Sequence, residues 1–293
     1  MEANNVTAGQ KNAHGICVSN CLAFTLIEIS IALVIIGLLV GGVLVGQDLI
    51  KAAEIRRAGS DINKVRLAAA VFQGEYDCLP GDCSKATNFF TLPANGGIWF
   101  LGDPNGNGNG LLDGTESYTR FWEHLSKSGL WNEDLNSQSP NGVEMGVNVP
   151  NFTWYSGNTN ATANSNMGYT TRGVAMYPVY NYICPAGMAA CETIPTSFTG
   201  KNMLAIQLIQ VQWPPAARAI PDSGFSCNFA ADFDAKFDDG MPHTGAVKSI
   251  SIRYGYENCS NFDARSGLAL PTTNPYVRND TYRVAPLLVD LGL

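Results

Sequence analysis

Charge is scarce in this chain. Only 15% of its 293 residues are charged, and 18 Lys and Arg are outnumbered by 25 Asp and Glu, for a net charge of −7. No basic run occurs anywhere, which argues against a nucleic-acid partner, because phosphate affinity rests on clustered Lys and Arg. Histidine is rarer still: His14, His124 and His243 have neither metal-ligand spacing nor a recognisable nucleophile motif around them. Asp238 and Asp239 are adjacent in sequence, where side chains normally point apart, so they are expected to make a poor acid/base pair. These shortages lead to the expectation that the chain is not an enzyme and requires no cofactor. The tight CxxC pairs of zinc ribbons are also missing, which weakens a zinc-site reading of the cysteines. Proline is absent from Phe24 until Pro80, so nothing in that stretch forces a helix to stop.

What is present is the composition of a folded protein, 45% hydrophobic, long enough for one sizeable domain or two small ones. Eight cysteines stand at 17, 21, 78, 83, 184, 191, 227 and 259. The last six fall into sequence-local pairs, which implies an oxidising compartment for everything after residue 78. Among the roughly fifteen connectivities that six cysteines allow, the preferred one joins Cys78 to Cys83, Cys184 to Cys191 and Cys227 to Cys259.

From Phe24 to Val45 the chain reads FTLIEISIALVIIGLLVGGVLV, with Glu28 its one charge. About 20 apolar residues suffice for a helix to cross a bilayer. A secretory signal peptide would have a shorter apolar core behind a basic region and a small-residue cleavage site after it. Here GQDLIKAAEIRRAG follows, without a clear A-x-A site, so the segment is expected to stay in the mature protein. A carboxylate in a membrane span costs several kcal/mol unless it is paired, which marks Glu28 as functional by default. Gly37, Gly41, Gly42 and Gly46 form overlapping small-x-x-x-small patterns that permit close helix approach. The competing reading is that glycine is simply common in membrane helices.

A small residue followed by FTLIE and an apolar helix, here Ala23, Phe24, Thr25, Leu26, Ile27 and Glu28, resembles the signature of bacterial type IV prepilins and type II secretion pseudopilins. The resemblance implies cleavage between Ala23 and Phe24 by a prepilin peptidase, then N-methylation of Phe24. It implies that Glu28 meets the new N-terminal amine of a neighbouring subunit, two buried opposite charges compensating each other. Residues 1–23 would then be a leader and 24–47 a transmembrane and polymerisation helix. Further implied partners are other pilin or pseudopilin subunits, an inner-membrane platform protein and an assembly ATPase complex. The implied location is the inner membrane, single-pass, with a periplasmic C-terminal domain. The expected function is a structural subunit, a minor one given the large globular part. A filament-tip adhesin or substrate-binding pilin is the alternative, and a membrane-anchored periplasmic enzyme a more distant one.

Beyond Asp48 the apolar pattern becomes periodic, with Ala58, Ile62, Val65, Ala69, Phe72 and Tyr76 spaced as one stripe of an amphipathic helix. Residues 48–77 thus continue the helix to roughly 50 residues, on the order of 75 to 80 Å, with Leu79-Pro80-Gly81 expected to end it. Residues 78–293 form the globular, disulfide-containing part. Strand candidates are Val143 to Val149, Leu204 to Leu208 and Ile250 to Tyr254. They give an α+β fold: an antiparallel sheet packed on the second half of the long helix, pilin-like. A short helix is expected from Glu116 to Ser128, buried through Tyr118, Phe121, Trp122 and Leu125 and capped by Gly129.

Two acidic stretches raise the question of a cation. Counted from Asn105, the residues Asn107, Asn109, Gly110, Leu112, Asp113 and Glu116 fall at positions 3, 5, 6, 8, 9 and 12 of an EF-hand-like loop. Calcium held by Asn105, Asn107, Asn109, Asp113 and Glu116 is one reading. The other is an Asn-Gly turn that needs no metal. Around Asp232, Asp234, Asp238 and Asp239 the expectation is an acidic turn into a strand, with a second cation site as the alternative. The Asn- and Ser-rich stretch 156–168 reads as a surface loop.

Overall fold

The computed structural model describes residues 25–93, 103–113, 116–136, 145–155, 171–180, 182–183, 192–193, 201–211, 225–249, 259, 275–278, 283–284 and 287–293. Its elements are α1 (Leu26–Tyr76), α2 (Ala86–Phe89), α3 (Glu116–Lys127), β1 (Thr171–Val179), β2 (Tyr182–Ile183), β3 (Glu192–Thr193), β4 (Met203–Val211), β5 (Phe225–Ser226), α4 (Cys227–Phe237), β6 (Val247–Ser249), β7 (Arg283–Val284) and β8 (Leu287–Asp290). The chain divides into two compact units between Leu49 and Ile50. The long apolar helix and the antiparallel sheet that follows make the fold α+β.

In the first unit, α1 is apolar on every side, and its large side chains from Leu26 to Leu49 are exposed. The absence of a polar face is what separates this half from an ordinary surface helix. It is long and apolar enough to cross a membrane.

In the second unit the same helix buries one stripe, Ile55, Ala58, Ile62, Val65, Ala69 and Phe72, which joins the sheet residues in one hydrophobic core. Arg66 Nε donates to the Asp290 carbonyl of β8 at 2.9 Å, a polar tie between helix and sheet. The helix stops at Tyr76, ahead of Leu79-Pro80-Gly81, because Asp77 turns left-handed at φ 55°. An aspartate tolerates that conformation better than most side chains and takes the place a glycine often holds. Cys78 is bonded to Cys83 directly after this stop.

The main sheet has the order β1-β4-β8-β6, antiparallel throughout. Pro178 lies in β1, an edge strand, where the missing amide breaks no ladder. Strand β4 contains the expected Leu204 and Ile206, but their neighbours Met203, Ala205 and Gln207 are buried as well. Val174 to Tyr177 of β1 are likewise buried on both faces, so the sheet is covered on two sides, not one. The Tyr177 hydroxyl donates to Gln207 Oε1 at 2.6 Å, which satisfies a diagonal polar pair inside that packing.

Helix α3 forms at the expected place and ends one residue early, with Gly129 at φ 75° just beyond it. It is not a one-faced helix. Arg120, Glu123 and His124 are as fully buried as Phe121, Trp122 and Leu125, because Arg120 and Glu123 pair at 2.5 Å and compensate each other's charge. The alternation at Met145, Val147 and Val149 belongs to a tight turn: Met145 and Val149 bridge across it, and the Gly146 amide donates to the Val149 carbonyl at 2.7 Å. Val143 and Ile250 to Tyr254 lie outside the described residues. The stretch expected to be an acidic turn into a strand begins with helix α4, capped by Ser226, whose hydroxyl accepts from the Phe229 amide at 3.2 Å. Asp232 and Asp234 are on this helix, and the chain bends and turns from Asp238 to Ala246 before strand β6.

Candidate functional site

The first turn of α1 explains how Glu28 sits in an apolar helix. A helix start leaves amides without partners. The Thr25 amide donates to Glu28 Oε2 at 2.8 Å, and the Thr25 hydroxyl donates to the same oxygen at 2.7 Å. In return, the Glu28 amide donates to Thr25 Oγ1 at 3.3 Å. This is a reciprocal capping box, and it places the carboxylate at the positive end of the helix dipole. The Ser30 hydroxyl is satisfied locally too, donating to the Leu26 carbonyl at 2.8 Å. The T-x-x-E spacing, Thr25 to Glu28, is the signal in the sequence for this box. Ala23 and Phe24 lie outside the described residues. A Cβ added at Gly37, Gly41, Gly42 or Gly46 would meet nothing within 4 Å among the described residues, so no contact among them calls for glycine at these positions.

The Asn-Gly stretch is organised around a residue the sequence reading passed over. Asp82 is buried, and its carboxylate accepts from the amides of Gly108 and Gly110, each at 2.8 Å. Burial raises its pKa, and these amides act against the rise. Of the residues weighed as calcium ligands, Asn105 Oδ1 accepts from the amide and hydroxyl of Thr87 at 2.9 and 3.1 Å. Asn107 Oδ1 accepts from the Asn109 amide and Asn109 Oδ1 from the Leu111 amide, at 2.9 and 2.8 Å. Asp113 Oδ2 accepts from Asn109 Nδ2 at 3.4 Å. Glu116 begins α3, and its side chain lies outside the described residues. Three of the five oxygen donors are thus turned to backbone amides, which hold the loop as a chain of short turns. The Asn107 and Asn109 oxygens each have a second lone pair, so the bonds hold the loop without a cation and do not exclude one.

His124 closes this region. Its Nδ1 accepts from the Gly81 amide at 3.0 Å, and its Nε2 lies 3.1 Å from the Pro104 carbonyl. The two partners fix a neutral ring protonated on Nε2. Burial pushes its pKa down to about 4.

Asp234, Asp238 and Asp239 bring carboxylate oxygens within 4.8 Å of one another. Each carboxylate has partners: Asp234 accepts from the Tyr276 hydroxyl at 2.9 Å and the Gly240 amide at 3.0 Å. Asp238 accepts from the Val247 amide at 2.8 Å, and Asp239 from the Met241 amide and the Thr244 hydroxyl at 2.9 and 2.6 Å. Burial, with the neighbouring negative charges adding to it, raises Asp234 to about 7. Tyr276 is 42 residues from Asp234, and no local pattern announces such a contact. Cys227 is bonded to Cys259, and Cys184 and Cys191 lie outside the described residues, as does the stretch 156–168.

Comparison with family models, with curated proteins and with solved structures gives no match.

Proposed function

We propose that the chain is a structural subunit, of the minor kind, in a type IV pilus or type II secretion pseudopilus. The observation that carries this reading is α1 from Leu26 to Val45, apolar on all sides, exposed along its length and bearing Glu28 at its start as its one charge. Such a helix needs a bilayer, or other helices like it, around it. A lone carboxylate there calls for a positive partner. The amine freed by a prepilin peptidase cutting before Phe24 is one, offered by a neighbouring subunit. The capping box then has a second role: it satisfies the Glu28 carboxylate in the unassembled chain and keeps it at the helix start. The proposed fold is pilin-like, with the globular unit periplasmic. The disulfides Cys78–Cys83 and Cys227–Cys259 agree with that compartment. Neighbouring subunits, an inner-membrane platform protein and an assembly ATPase complex are the proposed partners, and the protein itself performs no chemistry.

Substituting Glu28→Ala in the full chain tests the reading. Incorporation into filaments is expected to fall while the globular unit still folds and the protein still enters the membrane. Incorporation equal to that of the wild type would refute it.

A further inference from the structure

From Asn105 to Gly110 the chain repeats Asn-Gly three times in succession. Asn95-Gly96 and Asn141-Gly142 carry the same dipeptide outside the described residues. Asn-Gly is the dipeptide most prone to losing its side-chain amide, because glycine has no side chain to screen its backbone nitrogen from the preceding Cγ. That nitrogen bonds to Cγ, the Cγ–Nδ2 bond breaks and ammonia leaves. Water then opens the succinimide ring to aspartate or isoaspartate. Each event adds one negative charge, and isoaspartate also lengthens the backbone by one methylene.

The fold needs these glycines. Gly108 and Gly110 stand at φ 73° and 80°, where other side chains are strained, and a Cβ on Gly106 would lie 2.3 Å from Asp82 Cα. What the fold controls instead is the nitrogen. The Gly108 amide donates to the Asp82 carbonyl at 3.1 Å and to Asp82 Oδ1 at 2.8 Å. Among the described residues the Gly110 amide has only Asp82 Oδ2, at 2.8 Å. The Gly106 amide donates to the Cys83 carbonyl at 3.1 Å and takes nothing from the Asp82 side chain. The electrophilic end is held as well, since Asn107 Oδ1 and Asn109 Oδ1 each accept from the amide two residues on. Asp82 is 4% exposed, so water competes poorly for the two glycine amides. Cyclisation requires both ends of a pair to be released.

We propose that Asn107 and Asn109 are latent deamidation sites and that Asp82 is the positioning residue that keeps them intact, one carboxylate oxygen on each glycine nitrogen. Asn105 is protected by Cys83 and by packing instead. The reaction needs only water, and the inference stands apart from the filament reading. Local opening that frees an amide sets the rate, so the doubly held Gly108 protects Asn107 better than Gly110 protects Asn109. The order in the folded chain is Asn109, then Asn107, then Asn105. Reaction at both sites places two new carboxylates between Asp103 and Asp113.

The test incubates the full-length, membrane-extracted protein in neutral buffer made with oxygen-labelled water and follows each asparagine by peptide mass spectrometry. The same chain in denaturant gives the unprotected rates. Folded wild type is expected to take up label more slowly than the denatured chain, in the order above. In Asp82→Ala, uptake at Asn107 and Asn109 should rise about tenfold or more, the size expected from losing a hydrogen bond to a charged group, while Asn105 keeps its wild-type rate. General loosening would raise all three together, so the ratio separates positioning from a merely structural role. Should Asp82→Ala fail to form the Cys78–Cys83 disulfide, Asp82→Asn replaces it. Its one carbonyl oxygen can hold one glycine amide, so one of Asn107 and Asn109 should accelerate and the other should not. Folded wild type reacting as fast as the denatured chain, no acceleration in either variant, or equal acceleration at all three asparagines would overturn the proposal.

Discussion

Glu28, Glu123 and Asp234 are three carboxylates in apolar surroundings, and each is compensated differently. Glu28 is held by a capping threonine, Glu123 by a buried guanidinium, and Asp234 by a phenol and an amide. The second arrangement is the most sensitive to loss of a partner. Glu123→Ala would leave Arg120 buried without its counter-charge, and such a loss costs about 3 to 5 kcal/mol. Chemical denaturation of the globular unit checks this, and a loss under about 1 kcal/mol would contradict it. His124 and Asp234 make stability depend on pH in opposite senses. The folded state lowers His124 from 6.5 to about 4, so the unfolded chain binds the proton first as pH falls. Stability is then lost between about 6.5 and 4, to a limit of about 3 kcal/mol. Asp234 is raised from 3.8 to about 7, so its contribution is complete below 3.8 and is lost as pH rises through 7. Melting curves across this range should show Asp234→Asn reducing the loss toward neutral pH and His124→Gln reducing the loss toward acid, the remainder of which falls to His243, also lowered to about 4 by burial. Identical pH profiles in the wild type and both variants would contradict these assignments.

The elements differ in how plainly their residues announced them. The long helix was legible because its two halves carry different patterns, one apolar throughout and one a stripe at helical spacing, and both are local properties of the chain. Helix α3 was legible for the same reason, but the burial of Arg120, Glu123 and His124 was not, since it depends on partners in the folded unit. Helix α4 was missed because four aspartates in eight residues, Asp232 to Asp239, outweighed its Phe229, Phe233 and Phe237 stripe and its Ser226 cap. Met145 to Val149 misled in the other direction, since a tight turn and a strand can share the same short alternation. The loop around Asp82 shows what only packing reveals. A Cβ on Gly106 would stand 2.3 Å from the Asp82 Cα, which is backbone and cannot swing aside. Gly106→Ala is therefore expected to destabilise by about 1 to 3 kcal/mol, whereas Gly110→Ala, whose Cβ meets nothing within 4 Å, should show only the strain of its φ of 80°. Equal effects at the two positions would contradict this packing. Because the Asn105, Asn107 and Asn109 oxygens give the loop backbone and Thr87 bonds of its own, the loop is expected to form without calcium, and calcium titration should leave the melting temperature unchanged. A rise would show that the loop binds the ion.

At the scale of the whole molecule two indicators of membrane orientation disagree. Lys51, Arg56, Arg57, Lys64 and Arg66 follow the apolar segment, while Lys11 is the one Lys or Arg before it. Positive residues favour the cytoplasmic side, which by itself would place the globular unit there. The disulfides favour an oxidising compartment, and they carry more weight, because a charge bias is a tendency of insertion whereas a structural disulfide has to persist in its compartment. The candidate site was legible to a similar extent: Glu28 and its setting are local and could be read, while the Asp82 loop and the His124 bridge join residues far apart in sequence. The central claim concerns what happens to the chain before Phe24, and mass spectrometry of the N-terminal peptide of the membrane-extracted protein tests it most directly. A peptide beginning at N-methylated Phe24 is the predicted result, whereas a peptide beginning at Met1, or a cut after Val45, would contradict the account.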